Sequence, residues 1–164
     1  MRFQLVDRIV AVQVGRSLQA VKNLTLGEEY LADHFPSFPV MPGVLMLQTL
    51  VEAGAWLIRL SEDYQHSVIV LREARGVKYG SFMEPGWQMA ISVDLVERAE
   101  GTATLKGKGM AEGQTTVSAR LTLATYNLRD HDPTLAEVDE QLVRSLRSLG
   151  RMLQQRPTGN ARGS

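Results

Sequence analysis

The chain is constrained first by a stiff loop that leads directly into an apolar segment. Residues 34–43 read HFPSFPVMPG, with prolines at 36, 39 and 42. Each proline restricts its own φ and the residue before it, so this stretch is extended and cannot be helical. Pro42 then stands where a helix accepts proline, in its first turn. The following segment, Gly43 to Leu60, is helical in length and composition and apolar on nearly every side. Such a helix has to be buried, and the remainder of the chain has to surround it. Its polar exceptions Gln48, Glu52 and Arg59 share roughly one stripe, and a buried stripe of that kind needs partners. With Thr49, they also leave the segment short of a membrane span.

The rest of the chain reads mostly as strands. Residues 3–14 and 18–26 are rich in valine, isoleucine and leucine around a turn at Gly15-Arg16, which predicts a strand pair. From Ser67 to Leu128 four more strand-like runs are punctuated by Glu84-Pro85-Gly86, Glu100-Gly101 and Glu112-Gly113. One buried helix followed by antiparallel strands gives an α+β fold, an antiparallel sheet wrapped around the helix. Past Leu128 a second helix is expected over about 133–155. It starts either at Asp132-Pro133 or at a capping box Thr134-x-x-Glu137, and Gly150 weakens it. The division is therefore a domain over 1–128 and a helical extension over 129–164, whose tail from Pro157 is expected to be disordered.

Charge and cysteine narrow the function classes. Lysine plus arginine equals aspartate plus glutamate at 18 each, so no overall field points to nucleic acid or to an anionic membrane. The absence of cysteine removes disulfides, thiolate metal sites and a cysteine nucleophile. Histidines 34, 66 and 131 show no metal-ligand spacing, so no metal is expected; His66 and His131 read as surface residues. Asp7 and Arg8 interrupt the N-terminal apolar run, which does not read as a secretory signal, and a cytoplasmic location is the expectation.

The segment DHFPSFPVMPGVLMLQTLVEAGAW (33–56) resembles the catalytic segment of the 3-hydroxyacyl-[acyl-carrier-protein] dehydratases of fatty-acid synthesis, of FabZ type and related to FabA. His34, Phe35, Pro36, Pro39, Val40, Met41, Pro42, Gly43, Val44 and Leu45 fall in register without a gap. LVDRI at 5–9, AVKNLT at 20–25, Val77-Lys78-Tyr79, Pro85-Gly86 and GKGMAEGQ at 107–114 extend the resemblance to about residues 3–127. The resemblance implies a hot-dog fold and a hydro-lyase that forms trans-2-enoyl thioesters, without metal or redox cofactor. It implies acyl carrier protein as partner, and a homodimer or dimer-based oligomer whose site joins His34 of one subunit to the 48/52 helix face of the other. It makes His34 the base and the Gly43 N–H the group that polarises the thioester carbonyl, with Val40 fixing the imidazole tautomer. Val40, Phe38 and Pro42 are the expected substrate-binding residues. The chemistry suits these types: histidine titrates near neutrality, and a helix N-terminus offers free N–H groups to a developing oxyanion.

Two departures bear on catalysis. Fourteen residues after the histidine the family places glutamate or aspartate, and this chain has Gln48; where the family usually has glutamine, it has Glu52. An amide is a very poor general acid. Glu52 is then either a substitute acid or a structural partner of Gln48 or Arg59. The alternatives to dehydration are thioester hydrolysis with Glu52 as the carboxylate, and a non-catalytic acyl-thioester binder or partner subunit. The second departure is Ser37 for a family glycine, which carries a cost if that position needs positive φ. Arg72, Arg75 and Lys78 are a possible basic patch for the carrier protein, or a solvated strand face.

Overall fold

The computed structural model describes residues 4–155. Six strands form one fully antiparallel sheet: β1 (Arg8–Gln13), β2 (Ser17–Asn23), β3 (Val68–Tyr79), β4 (Gln88–Ala99), β5 (Thr102–Ala111) and β6 (Gln114–Tyr126). Their spatial order is β1-β2-β4-β5-β6-β3, so the chain crosses the sheet twice. The first crossing passes through the helix α1 (Gly43–Ser61), and β3 lands at the far edge beside β6. The hydrophobic alternation that marks these segments becomes an inward and an outward face. In β5, Ala103, Leu105, Gly107, Gly109 and Ala111 are buried while their neighbours are not.

α1 packs across β2, β3, β4, β5 and β6. Its buried side chains include Met46, Leu50, Val51, Trp56, Leu57 and Ile58, which join Leu105, Leu121 and Leu123 from the sheet in one core. By length and apolarity alone Gly43–Ser61 reaches the threshold for a membrane span, contrary to the expectation from its polar residues. Its place against the sheet makes it a core helix, where the same apolarity serves burial.

The N-terminal strand is shorter than expected. Among the described residues regular pairing starts at Arg8, with residues 4–7 outside the strand; residue 3, where the strand is expected to begin, lies outside the described residues. Leu5 and Val6 are fully buried, but the Leu5 amide donates to Glu52 Oε2 at 2.9 Å instead of joining the sheet. A carboxylate on the helix captures the backbone before the ladder begins.

The second helix, α2, spans Ala136–Gln154. The Thr134 capping box does not form. Asp132 caps a short 3-10 turn at Pro133–Leu135, accepting from the Thr134 amide at 3.0 Å and the Thr134 hydroxyl at 2.7 Å. α2 is held to the body at three points. Asp139 is shielded from solvent and accepts from Ser67 Oγ, the Leu128 amide (2.9 Å), the Arg129 amide (3.0 Å) and Arg129 Nε (3.0 Å). Shielding alone raises its pKa, but those donors together hold it below the usual aspartate range. Arg147 reaches Asp63 at 2.6 Å and stacks over the Tyr64 ring. Gly150 is the third point: a Cβ there would stand 2.1 Å from Tyr64 Oη and 3.1 Å from Trp56 Cζ3. The glycine that weakens the helix locally is what lets it approach α1. The tail from Pro157 lies outside the described residues.

Candidate active site

The proline loop is held in one shape by its own backbone. The Val40 amide donates to the His34 carbonyl (3.0 Å), Phe35 and Phe38 exchange amide–carbonyl bonds (3.2 and 3.0 Å), and the Met41 amide donates to Met83 O (2.9 Å). The loop returns on itself between residues 34 and 40, which brings the imidazole beneath the Val40 carbonyl. His34 Nδ1 lies 2.9 Å from Val40 O. A carbonyl only accepts, so Nδ1 carries a proton, and in the neutral imidazole Nε2 is then the nitrogen with the lone pair. Val40 O is the loop carbonyl that lies against the imidazole. Ser37 does not occupy the positive-φ region, so the cost anticipated for replacing glycine does not arise.

Directly after the loop α1 begins, with Pro42 as its N-cap. The Pro42 carbonyl accepts from Leu45 and Met46, whereas the Gly43 and Val44 amides precede the first intrahelical bond. Gly43 lies under the ring of Tyr79, where an added Cβ would stand 3.0 Å from Tyr79 Cε1. Phe35 stacks on His34 (centroids 4.3 Å apart) and Phe38 meets Phe82 edge-on (5.9 Å). Phe35, Phe38, Val44, Tyr79 and Phe82 are each about half or more exposed, an apolar set at the loop and the start of α1. The sequence signals Tyr79 only through the VKY of the resemblance and gives no signal for Phe82.

The polar stripe of α1 faces elsewhere. Gln48, Glu52 and Arg59 line one cavity of about 620 Å³ between α1 and α2, and His34 is not among its lining residues. Within one chain, then, the histidine and position 48 do not share this cavity. Glu52 is committed at both oxygens, one to the Leu5 amide (2.9 Å) and one to Gln4 Nε2 (2.6 Å). Burial raises its pKa, while the Leu5 and Val6 amides and the Arg59 charge oppose that rise. Arg59 is lowered by burial, with Glu52 opposing, and its guanidinium lies over Trp56.

His66 is not a free surface residue: it is half-buried, with Nε2 3.7 Å from Glu62 Oε2 and 3.4 Å from Arg98 Nη2. His131 is exposed, edge-on to Tyr126. Arg72, Arg75 and Lys78 are exposed on β3, and Arg75 is paired with Glu73 at 3.0 Å. Among the described residues no group of histidine, aspartate and glutamate is arranged to hold a metal.

The geometry can be set beside known proteins. A FabA-like domain model matches residues 1–120. The 3-hydroxyacyl-[acyl-carrier-protein] dehydratase FabZ of Albidiferax ferrireducens is 40% identical over 130 residues, covering 77% of this chain and 86% of the relative. The FabZ of Bacillus subtilis is 35% identical over 124 residues, covering 74% and 86%. Among solved structures, the dehydratase heterocomplex ApeI:P from Xenorhabdus doucetiae superposes with a TM-score of 0.63 at 15% identity, over 81% of this chain and 90% of that one, which is a likeness of fold. A wrapped helix, a histidine locked by its own loop and a free helix N-terminus thus coincide with sequence identity over most of the chain: it belongs to the FabA-like family, among the FabZ-type 3-hydroxyacyl-[acyl-carrier-protein] dehydratases, with the hot-dog fold.

Proposed function

We propose that this protein dehydrates 3-hydroxyacyl thioesters carried by acyl carrier protein in the cytoplasm, working as a dimer in which His34 of one subunit faces Gln48 of the other. The carrying observation is the fixed tautomer of His34, 2.9 Å from Val40 O, beside the open amides at the start of α1. Nε2 takes the C2 proton, and the enolate-like charge on the thioester oxygen meets the Gly43 N–H. The C3–O bond breaks as the double bond forms, and the leaving hydroxyl takes the proton back from the imidazolium and departs as water. Gln48 holds that hydroxyl by its amide and donates no ionisable proton. Glu52 secures the N-terminal segment rather than replacing the missing acid, because both its oxygens are already accepting. Phe38, Val40 and Pro42 line the path of the acyl thioester.

The second copy has a place to dock. β3 pairs with β6 on one side only, and its other edge is open among the described residues, with Val70 and Leu71 exposed. The separation of His34 from the Gln48 cavity within one chain calls for such a partner. Gln48 also favours a second reading, a partner subunit that supplies His34 to a chain bearing the carboxylate.

Turnover of 3-hydroxyacyl-acyl-carrier-protein substrates, followed by enoyl absorbance and by free thiol, tests the proposal. Enoyl product that falls about a hundredfold or more in His34→Ala is the expected result. Thiol release without enoyl would overturn it. A silent wild type that Gln48→Glu makes active would establish the partner-subunit reading instead.

A further inference from the structure

The helix α2 lies beyond the 1–120 segment that the family model matches, yet it forms one wall of the cavity into which position 48 opens. The wall is fixed, since Asp139, Arg147 and Gly150 tie it to the body. From Gln48 to Arg59 the cavity follows α1 for about 16 Å, at about 1.5 Å per residue. Leu142, Leu146, Leu149 and Met152 face Val51 and Ile69 across it. The charged groups that line it, Glu52 and Arg59, are near enough to perturb one another, and Glu52 is further engaged by Gln4 and Leu5. Its volume of about 620 Å³ is that of a small-molecule site, and a four-carbon chain would leave most of it empty.

We propose that α2 sets the chain length of the substrate: the cavity takes the distal carbons of a long acyl chain whose reacting end lies at Gln48. This rests on the acyl-thioester reading above. An aliphatic chain is the occupant we assign, because one end of the cavity is the residue proposed to meet the substrate and Leu142, Leu146, Leu149 and Met152 line it together with Val51 and Ile69, while Glu52 and Arg59 on the α1 side are engaged by Leu5, Gln4 and Trp56. Burying that chain removes apolar surface from water on both sides. Ser145 and Ser148, small and exposed on α2, leave the width open.

The test uses the full-length protein and pantetheine thioethers, which cannot be dehydrated or hydrolysed, with four-carbon and fourteen-carbon chains. Wild type is expected to bind the longer chain about tenfold or more tightly. Ser145→Trp fills the cavity and should abolish that preference while the four-carbon affinity stays within about twofold; Ser145→Ala is the control. A bromine at the chain terminus should quench Trp56, which lines the cavity, and the quench should vanish in Trp56→Phe. Equal binding of both lengths by wild type, equal weakening of both in Ser145→Trp, or a quench that survives in Trp56→Phe each overturns the proposal. The two readings fail separately. Absence of enoyl product with the long ether still bound beside Trp56 sinks dehydration and keeps the pocket. Turnover with a length preference that Ser145→Trp leaves unchanged does the reverse.

Discussion

Replacing Glu52 by glutamine separates a catalytic carboxylate from a structural one. In the protein the Glu52 oxygens accept from the Leu5 amide and from Gln4 Nε2. Glutamine keeps one acceptor and turns an NH2 toward a donor, so at least one hydrogen bond to a charged group is lost, worth about 1.5–3 kcal/mol. The gain opposing it is that no charge has to be buried. Burial raises the Glu52 pKa, so the native state holds its proton more tightly than the unfolded chain. Stability from this group is therefore greatest below the ordinary glutamate pKa and falls as pH rises through the raised folded value. Glutamine has no such slope. The stability difference between wild type and Glu52→Gln should be largest in acid and shrink toward neutrality, where a residual loss of about 2 kcal/mol would lower Tm by about 4–8 °C. Urea unfolding of both proteins at matched concentration, followed by tryptophan emission at several pH values, measures it. Groups other than Glu52 titrate in both proteins and cancel in the difference. A gap that widens with pH would refute the reasoning, since it would mean that the folded site favours the carboxylate. Enoyl formation by Glu52→Gln should stay within a few-fold of wild type once folding is controlled.

Three further outcomes follow from the same structure. Gly150→Val forces a side chain into Tyr64 and Trp56, and should cost about 1–3 kcal/mol and raise amide exchange along α2, measurable by hydrogen–deuterium exchange. Val70→Asp places a charge on the open strand β3 and should convert a dimer into monomers by light scattering, with loss of enoyl formation; an active monomer would refute the shared site. Gly43→Ala pushes on the Tyr79 ring at 3.0 Å, an exposed side chain that can turn away, so stability should change by less than about 1 kcal/mol while enoyl formation falls. Loss of folding in that variant would show the contact to be structural.

Some of this was determined by the sequence alone. The prolines at 36, 39 and 42 and the run after them dictate a stiff loop and a buried helix, because φ restriction and apolarity act locally and read directly from residue type. The alternation in β5 and the turn glycines give strands, and the ten in-register motif residues between His34 and Leu45 single out His34, Val40 and Gly43 together as candidates. Other features were decided only in three dimensions. That Glu52 anchors Leu5 rather than facing the histidine depends on a contact 47 residues apart in sequence, which has no local signature. The same holds for Asp139, which reads as one more acid on a polar helix and becomes the bolt of α2 because Ser67, Leu128 and Arg129 converge on it. Gly150 reversed its meaning: propensity counts a lost Cβ as weakness, while packing against Tyr64 requires it. Long-range contacts assign side chains to cavities, so the placing of Gln48 in a cavity that His34 does not line belongs to the tertiary structure.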